Sequence, residues 1–430
     1  MIRKPRLKIS EIVMLIVFTL IMFQNALMKI SGIFAYIDEF LFMISVGYIV
    51  YSLLRYKSIH RDDLIMFLLM ILIAGLGILC NFTSDIDRSL IMIILDLVYF
   101  FKDFICFIGA YWYFSRNKIS NEFKDVLTKE VKAIILIAFI CLILSQFVNI
   151  GMTRGTRYGF KCFKFVYTNP GMLSQYCIIF LIILTVGLQN LKNKRNQLIY
   201  LGLLMIVWIS TFRSRAFVSI AIWCVLMFIS KKISDHNLIE QGRKATLKYF
   251  LKPHYILAAL VIILILGGNQ IQSYFGSQEV NARSLLLTGG LTIMKDYFPL
   301  GSGLGTFGTQ SAATYYSPLY YRYGLNTYWA LKEGGSELTD CYWPAVGAEL
   351  GMIGIILMVA LIFVFSKRFI QSANHKKYHM IAFLTYVIYL LVSSTATGIY
   401  TSYLTAGFLV ICMAIINTKE GERNGNNSII

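Results

Sequence analysis

The sequence predicts an all-α polytopic membrane protein with about twelve transmembrane helices and one large extracytoplasmic loop. Hydrophobic residues make up 57% of its 430 residues and charged residues only 14%, whereas soluble domains carry about 25% charged residues. The apolar residues form runs of about 20, which as helices cross a hydrocarbon layer of ~30 Å. Lysine and arginine recur in every second connection between these runs, as expected for a chain that crosses a membrane repeatedly.

The predicted spans follow one another with short connections except before the tenth. They cover residues 9–28, 33–54, 64–81, 89–114, 131–150, 171–189, 196–211, 215–231, 255–272, 343–366, 379–396 and 399–417. The first run has no small-residue cleavage site after it, so it is interpreted as a retained helix and not as a signal peptide. The chain 1–430 is thus treated as one membrane domain, with the large loop at 273–342.

The basic connections orient the chain. They are residues 1–8, 55–61, 116–132, 192–195, 231–252, 367–377 and the carboxyl-terminal tail, and they hold roughly two thirds of the 40 lysines and arginines. Both termini are therefore predicted to be cytoplasmic. The net charge of +18 is spread over short loops, so no nucleic-acid partner is expected. The eight cysteines show no CxxC or Cys/His spacing, which argues against a disulfide framework and a zinc site.

Ten basic residues break this pattern on the predicted outer side. They are Arg154, Arg157, Lys161, Lys164, Arg213, Arg215, Arg283, Lys295, Arg322 and Lys332. Snorkelling to lipid headgroups explains many such residues. Arg213 and Arg215 fit that explanation poorly, because they lie on a tight turn with no acidic neighbour in the sequence. A substrate phosphate or pyrophosphate would suit the bidentate fork of arginine.

The large loop contains the run Gly301-Ser302-Gly303-Leu304-Gly305 and a cluster of tyrosines. Glycine lets a backbone approach a partner closely, so Gly301, Gly303 and Gly305 are predicted to contact substrate, unless the run is only a connecting loop. The tyrosines are Tyr315, Tyr316, Tyr320, Tyr321, Tyr323 and Tyr328. Their rings suit either stacking on sugars or an interfacial belt, and Tyr328 and Arg322 are the substrate-binding candidates among these loop residues.

Five short motifs in order resemble the O-antigen polymerase/ligase family of membrane proteins, over roughly residues 150–370. The motifs are Arg157-Tyr158-Gly159-Phe160 with Asn169-Pro170, then Phe212-Arg213-Ser214-Arg215-Ala216, then Arg283, then the segment 299–307, then Glu349-Leu350-Gly351-Met352-Ile353-Gly354. Asn169 and Pro170 are also expected to begin a helix.

The resemblance implies a glycosyltransferase on the outer face of the bacterial cytoplasmic membrane. Such proteins use an undecaprenyl-pyrophosphate-linked oligosaccharide as donor and need no nucleotide sugar, metal or cofactor. By position, the role of the family's pyrophosphate-binding arginines falls on Arg215 and Arg283, with Arg213 as the substitute for Arg215 and Arg157 as a further contact. Membrane lipid, a chain-length regulator and a flippase are the other expected partners.

The choice between polymerase and ligase depends on the residue before the Glu349 motif. Ligases of the family resemble one another in a histidine there, where this chain has Asp340. The five histidines, His60, His236, His254, His375 and His379, are all predicted to be cytoplasmic. Asp340 is therefore the predicted catalytic residue that assists the acceptor hydroxyl, with a helix cap or interface residue as the alternative.

The predicted function is polymerisation of surface-polysaccharide repeat units, with ligase-type glycan transfer as the alternative. A flippase is the alternative of another class. It is suggested by the intramembrane charges Asp38, Glu39, Asp96, Lys102 and Asp103. Within this set, Lys102 is expected to pair with Asp103 or Asp96.

Overall fold

The structure is a computed structural model that describes residues 7–157, 159–189, 194–235, 281–373 and 376–417. The described chain is mostly helical. Its helices are α1 (Ile9–Leu27), α2 (Ile37–Tyr56), α3 (Arg61–Thr83), α4 (Leu90–Arg116), α5 (Asn121–Phe147), α6 (Pro170–Gly187), α7 (Lys194–Ile209), α8 (Ser214–Asp235), α9 (Ala282–Asp296), α10 (Gln310–Thr314), α11 (Pro318–Arg322), α12 (Tyr342–Gln371), α13 (Lys377–Ser394) and α14 (Tyr403–Ile416). Short 3₁₀ turns cover Gly32–Tyr36, Leu325–Thr327 and Ile399–Thr401. The strands β1 (Thr153–Arg157) and β2 (Phe160–Phe163) form an antiparallel hairpin in which Arg157 is opposite Phe160.

Six of the described helices are long and apolar enough to cross a membrane. They are α1, α2 together with the 3₁₀ turn before it, α3, α6, α12 and α13. Two shorter apolar helices cover Ser214–Ser230 and Tyr403–Ile416. The chain is thus a multi-pass helical membrane protein, while the count of about twelve spans stays a prediction. The ninth predicted span, 255–272, lies outside the described residues.

Polar residues set where several helices begin. Ser89 and Ser120 accept hydrogen bonds from backbone amides in the first turns of α4 and α5, which satisfies donors that have no partner inside the helix. Asn169 caps α6 in the same way, and Pro170 occupies the first helical position. The prediction that Asn169 and Pro170 begin a helix is confirmed.

Two hydrophobic cores organise the described chain. In the larger core, α12 packs along α3, α2 and α14 pack on α4, and α13 packs on α6 and α8. The smaller core lies under the segment 281–341, where Leu286, Phe307 and Tyr320 are buried together. This segment is therefore not an open loop, because its short helices have a core of their own and α9 packs against α12.

Helix α12 is broken at Gly351, which has φ +66° and ψ −165°. The break frees two carbonyls of α12. Ala348 O accepts from the amide of Ser302 at 2.8 Å, and Glu349 O accepts from the amide of Gly303 at 3.0 Å. Irregular backbone within a membrane-spanning helix needs partners for its polar groups, and the amides of Ser302 and Gly303 supply them here.

We expect Gly351→Ala to destabilise the protein strongly. A non-glycine residue at this φ and ψ costs about 1–3 kcal/mol. In addition, the new Cβ would lie 2.5 Å from the carbonyl oxygen of Pro299. Thermal unfolding of the purified protein in detergent measures the effect. Gly75→Ala on α3 is the matched control, since nothing lies within 4 Å of its Cβ position. Equal unfolding temperatures for the two variants would contradict the claim that the break in α12 requires glycine at position 351.

The intramembrane charges pair between helices. Lys102 on α4 forms an ion pair with Asp38 on α2, and its ammonium lies 3.8 Å from Glu39. The predicted pairing of Lys102 with Asp103 or Asp96 is therefore wrong. Neighbouring residues on a helix point in different directions, and residues six apart do not face each other either. The pair joins α2 to α4 and neutralises charges that would be costly to bury separately.

Candidate functional site

Four arginines from four separate segments meet at one place. Arg157 ends β1, Arg213 lies on the turn between α7 and α8, and Arg215 and Arg283 are the second residues of α8 and α9. Burial and the charges of Arg157, Arg215 and Arg283 lower the pKa of Arg213 to about 10. The guanidinium of Arg213 stays charged near neutral pH, so the site holds a concentration of positive charge that an anion would relieve.

The amino terminus of α6 supports this arginine cluster. Arg215 Nη2 donates to the carbonyl of Gly171 at 2.6 Å, and Arg157 Nη1 donates to the carbonyl of Phe212 at 3.0 Å. A Cβ at Gly171 would lie 2.8 Å from Arg215 Nη2, so a larger residue there would displace the end of the Arg215 side chain. The positive end of the α6 dipole adds to the attraction for an anion.

Arg215 contains a buried donor without a partner. Its Nη1 is inaccessible to solvent and has no hydrogen-bond acceptor among the described residues. Leaving a buried donor of a charged group unsatisfied typically costs more than about 1–3 kcal/mol. A bound anion would reach Nη1 only if the Arg215 side chain turned out of this position.

Asp340 lies against the arginine cluster. Its Oδ2 accepts from Arg283 Nη2 at 3.0 Å and from Arg283 Nε at 3.3 Å. The N-cap position of α12 is Cys341, so Asp340 is not the cap of that helix and the cap alternative is wrong. The ion pair joins a predicted catalytic carboxylate to a predicted pyrophosphate-binding arginine.

Glu337 is a second carboxyl group at this position, and the sequence analysis did not single it out. It is half-buried one turn before Asp340, whose amide donates to the Glu337 carbonyl at 3.1 Å. Burial and the charge of Asp340 raise the pKa of Glu337, while Arg283 opposes the shift. The spacing of three residues from Asp340 is the signal that could have revealed it.

The glycine-rich run is buried and uses its own backbone donors. The acceptors of the eight amides from Gly301 to Gly308 are Cys80 Sγ, the carbonyls of Ala348 and Glu349, Asn81 Oδ1, Asp96 Oδ2, Glu349 Oε1 twice and the Tyr320 hydroxyl. The three glycines do permit a close approach, but the partners are α12 for Gly301, α3 for Gly303, and Ser311 with α4 for Gly305. For example, a Cβ at Gly303 would lie 2.7 Å from Asn81 Nδ2. With these amides already bonded, the geometry does not support the predicted role of Gly301, Gly303 and Gly305 in substrate binding.

Two buried carboxyl groups bind the backbone of the glycine-rich run, and the sequence analysis did not predict these contacts. Asp96 on α4 accepts from the amide of Gly305 at 2.9 Å, while Glu349 on α12 accepts from the amides of Thr306 and Phe307, both at 2.8 Å. Asp96 is a charged residue within an apolar helix. That feature of the sequence could have indicated a buried hydrogen-bond acceptor. The two side chains fix the run between α4 and α12.

Arg322 contacts a different carboxylate. Its Nη2 lies 2.8 Å from Asp85 Oδ2, and its Nη1 donates to the hydroxyl of Tyr297 at 2.8 Å. Hydrogen bonds from Arg322 and Tyr297 lower the pKa of Asp85 to about 2, so this link persists until the pH falls through that value. The geometry gives Arg322 a structural part, since it joins α11 to the α3–α4 connection.

The tyrosines of the segment fall into two groups. Tyr316 and Tyr320 are buried and stack at 5.1 Å between ring centroids. Tyr321 and Trp329 are exposed, and Tyr328 lies beside Trp329 with 5.9 Å between centroids. The role of Tyr328 in substrate binding stays a prediction, and Trp329 is a further aromatic candidate at the same surface.

Two of the five histidines are among the described residues. His60 caps α3 by accepting from the amide of Asp62 at 3.2 Å, and His379 is buried in α13. Among the described residues, no group of three or more His, Cys, Asp or Glu side chains is arranged to hold a metal ion.

No known family model matches the chain, and no curated protein matches it either.

Proposed function

We propose that this protein polymerises surface-polysaccharide repeat units. In this proposal it transfers a growing glycan from undecaprenyl pyrophosphate to a lipid-linked repeat unit on the outer face of a bacterial cytoplasmic membrane. The observation that carries the proposal is the meeting of Arg157, Arg213, Arg215 and Arg283 with Asp340. A basic cluster beside a carboxylate suits a reaction that binds an anionic leaving group and removes a proton from a hydroxyl.

The arginine cluster suits a pyrophosphate better than a single carboxylate or phosphate. Among the described residues, the four guanidinium groups have two carboxyl groups beside them, Asp340 and Glu337, so the positive charges outnumber the negative ones by about two. Two adjacent phosphates supply several oxygens for bidentate arginine forks. The same contacts would stabilise the charge that develops on the pyrophosphate as it leaves.

In the proposed reaction, the pyrophosphate of the substrate replaces Asp340 as the partner of Arg283. Both side chains are about one third exposed, at 31% and 33%, and such pairs typically contribute less than about 1 kcal/mol. A pyrophosphate therefore competes readily for Arg283. Once Arg283 turns to the phosphates, the Asp340 carboxylate is released to accept the proton of the acceptor hydroxyl.

The arginine cluster and Asp340 account for the leaving group and the proton in the proposed reaction. The acceptor oxygen bonds to the anomeric carbon, the bond between that carbon and the phosphate oxygen breaks, and both bonding electrons stay on undecaprenyl pyrophosphate. The hydroxyl proton passes to Asp340 and on to solvent. Inversion at the anomeric carbon is expected if nucleophile and leaving group lie on opposite faces.

A reconstituted assay tests the proposal. The purified protein is placed in liposomes with lipid-linked repeat units extracted from a strain that lacks it, and products are separated by size. A ladder of lipid-linked polymers is the expected result. Transfer only to an added lipid-core acceptor would favour a ligase instead, and movement of the units across the bilayer without a ladder would favour a flippase.

A further inference from the structure

A second basic site lies at the start of α1, whereas the other end of α1 approaches the start of α6 and the arginine cluster through the bond from the Thr168 amide to Asn25. It is a cavity of about 290 Å³ between the start of α1 and the end of α4. Lys8, Arg116 and Lys118 line it together with Glu11 and several neutral residues. The predicted function does not use this cavity, so its charge calls for a separate explanation.

The one carboxylate that lines this cavity, Glu11, already accepts hydrogen bonds from backbone amides. Glu11 Oε1 accepts from the amide of Ser120 at 2.8 Å, and Glu11 Oε2 accepts from the amide of Lys8 at 3.1 Å. In the described part of the chain, no carboxylate forms an ion pair with Lys8, Arg116 or Lys118. Three cations thus face one internally bonded carboxylate, which leaves a net charge of about +2 at the cavity.

Arg116 is held in place before any ligand arrives. Its guanidinium carbon lies 4.0 Å from the centroid of the Tyr56 ring, and its Nη1 donates to the hydroxyl of Ser52. Stacking fixes the plane of the fork, which lowers the ordering cost when the remaining donors bind an anion. A planar arginine fork with two lysines beside it is chemistry suited to phosphate.

The surroundings favour a lipid as the carrier of that phosphate. On α1, next to the cavity-lining residues, Ile9 and Val13 expose 82% and 53% of their surfaces. A hydrocarbon chain can cover these residues while the headgroup enters the cavity. The volume lies near the lower end of small-molecule sites, which suits a headgroup better than an oligosaccharide.

We propose that this cavity binds the phosphate of an anionic phospholipid in the leaflet on the side of the amino terminus. Basic pockets between transmembrane helices recognise anionic headgroups in this way. The proposal is independent of polymerisation, because it involves neither the arginine cluster nor Asp340.

Lipid binding to the purified full-length protein tests this site. Phosphatidylglycerol, phosphatidylcholine and inorganic phosphate are compared as probes, with bound lipid counted by native mass spectrometry. Wild type should retain phosphatidylglycerol in preference to phosphatidylcholine. The variant Lys8→Gln/Arg116→Gln/Lys118→Gln should bind phosphatidylglycerol at least tenfold more weakly, since each basic residue near an anionic surface contributes roughly fivefold.

Matched variants separate this effect from general charge and from folding. Arg55→Gln/Arg61→Gln/Lys129→Gln removes the same charge from exposed positions at the same end of the helices and should retain the lipid. Lys8→Gln/Lys118→Gln spares the packed Arg116 and should still lose several-fold in affinity. Equal lipid retention by the cavity variants and the control variant would overturn the proposal, as would binding of inorganic phosphate but not of phosphatidylglycerol.

Discussion

Replacing Arg215 or Arg283 with alanine is expected to abolish polymer formation. Arg215 contributes the buried Nη1 that has no acceptor among the described residues, and Arg283 connects the cluster to Asp340. Removing one partner of a desolvated, charge-paired contact costs about 2–5 kcal/mol or more, which corresponds to a loss of roughly 30-fold or greater. The reconstituted assay with lipid-linked repeat units measures this loss as the rate of ladder formation.

Lysine variants and a neighbouring arginine separate geometry from charge. Arg215→Lys and Arg283→Lys keep the charge but lose the bidentate fork, so they should restore only a small part of the rate. Arg154→Ala is the matched control, because Arg154 is exposed on the same strand as Arg157. Wild-type rates in both alanine variants, at normal protein abundance, would remove pyrophosphate binding from the proposal.

Asp340→Asn should leave a stable protein that accumulates single lipid-linked repeat units and makes little long polymer. Asparagine keeps the size of the side chain and can still accept a hydrogen bond from Arg283, but it no longer takes up the hydroxyl proton. Loss of a general base typically lowers the rate about 10²–10⁴-fold. Chain length on a gel and the rate in liposomes measure the effect, and thermal unfolding confirms that the variant is folded.

Two other carboxyl groups test whether Asp340 is the base. Glu337→Gln removes the neighbouring carboxyl and should reduce the rate less than Asp340→Asn, because Glu337 makes no ion pair with Arg283 in the structure. Asp296→Asn, at the exposed end of α9, is the control and should behave as wild type. Near-normal chain length in Asp340→Asn together with a large loss in Glu337→Gln would transfer the role to Glu337.

Local patterns predicted the features that depend on neighbouring residues in the chain. Apolar runs indicated a multi-pass helical protein, and Asn169-Pro170 indicated the start of α6. The importance of Asp340 and Arg283 was also predicted, but their contact was not. They are separated by 57 positions in the chain, and no local pattern specifies which distant residues a fold brings together.

Composition and the lengths of the apolar runs were enough to establish that this chain folds in a membrane. The sequence also identified the arginines that lie outside the basic connections predicted to be cytoplasmic. Which polar groups find partners within the protein became clear only from the way distant segments pack together. The amides of the glycine-rich run bond to Asn81, Asp96 and Glu349, and Arg322 bonds to Asp85. The bonds of the glycine-rich run form because burial leaves no water to satisfy its polar groups, whereas the exposed pair of Arg322 and Asp85 forms because the fold brings two distant segments together.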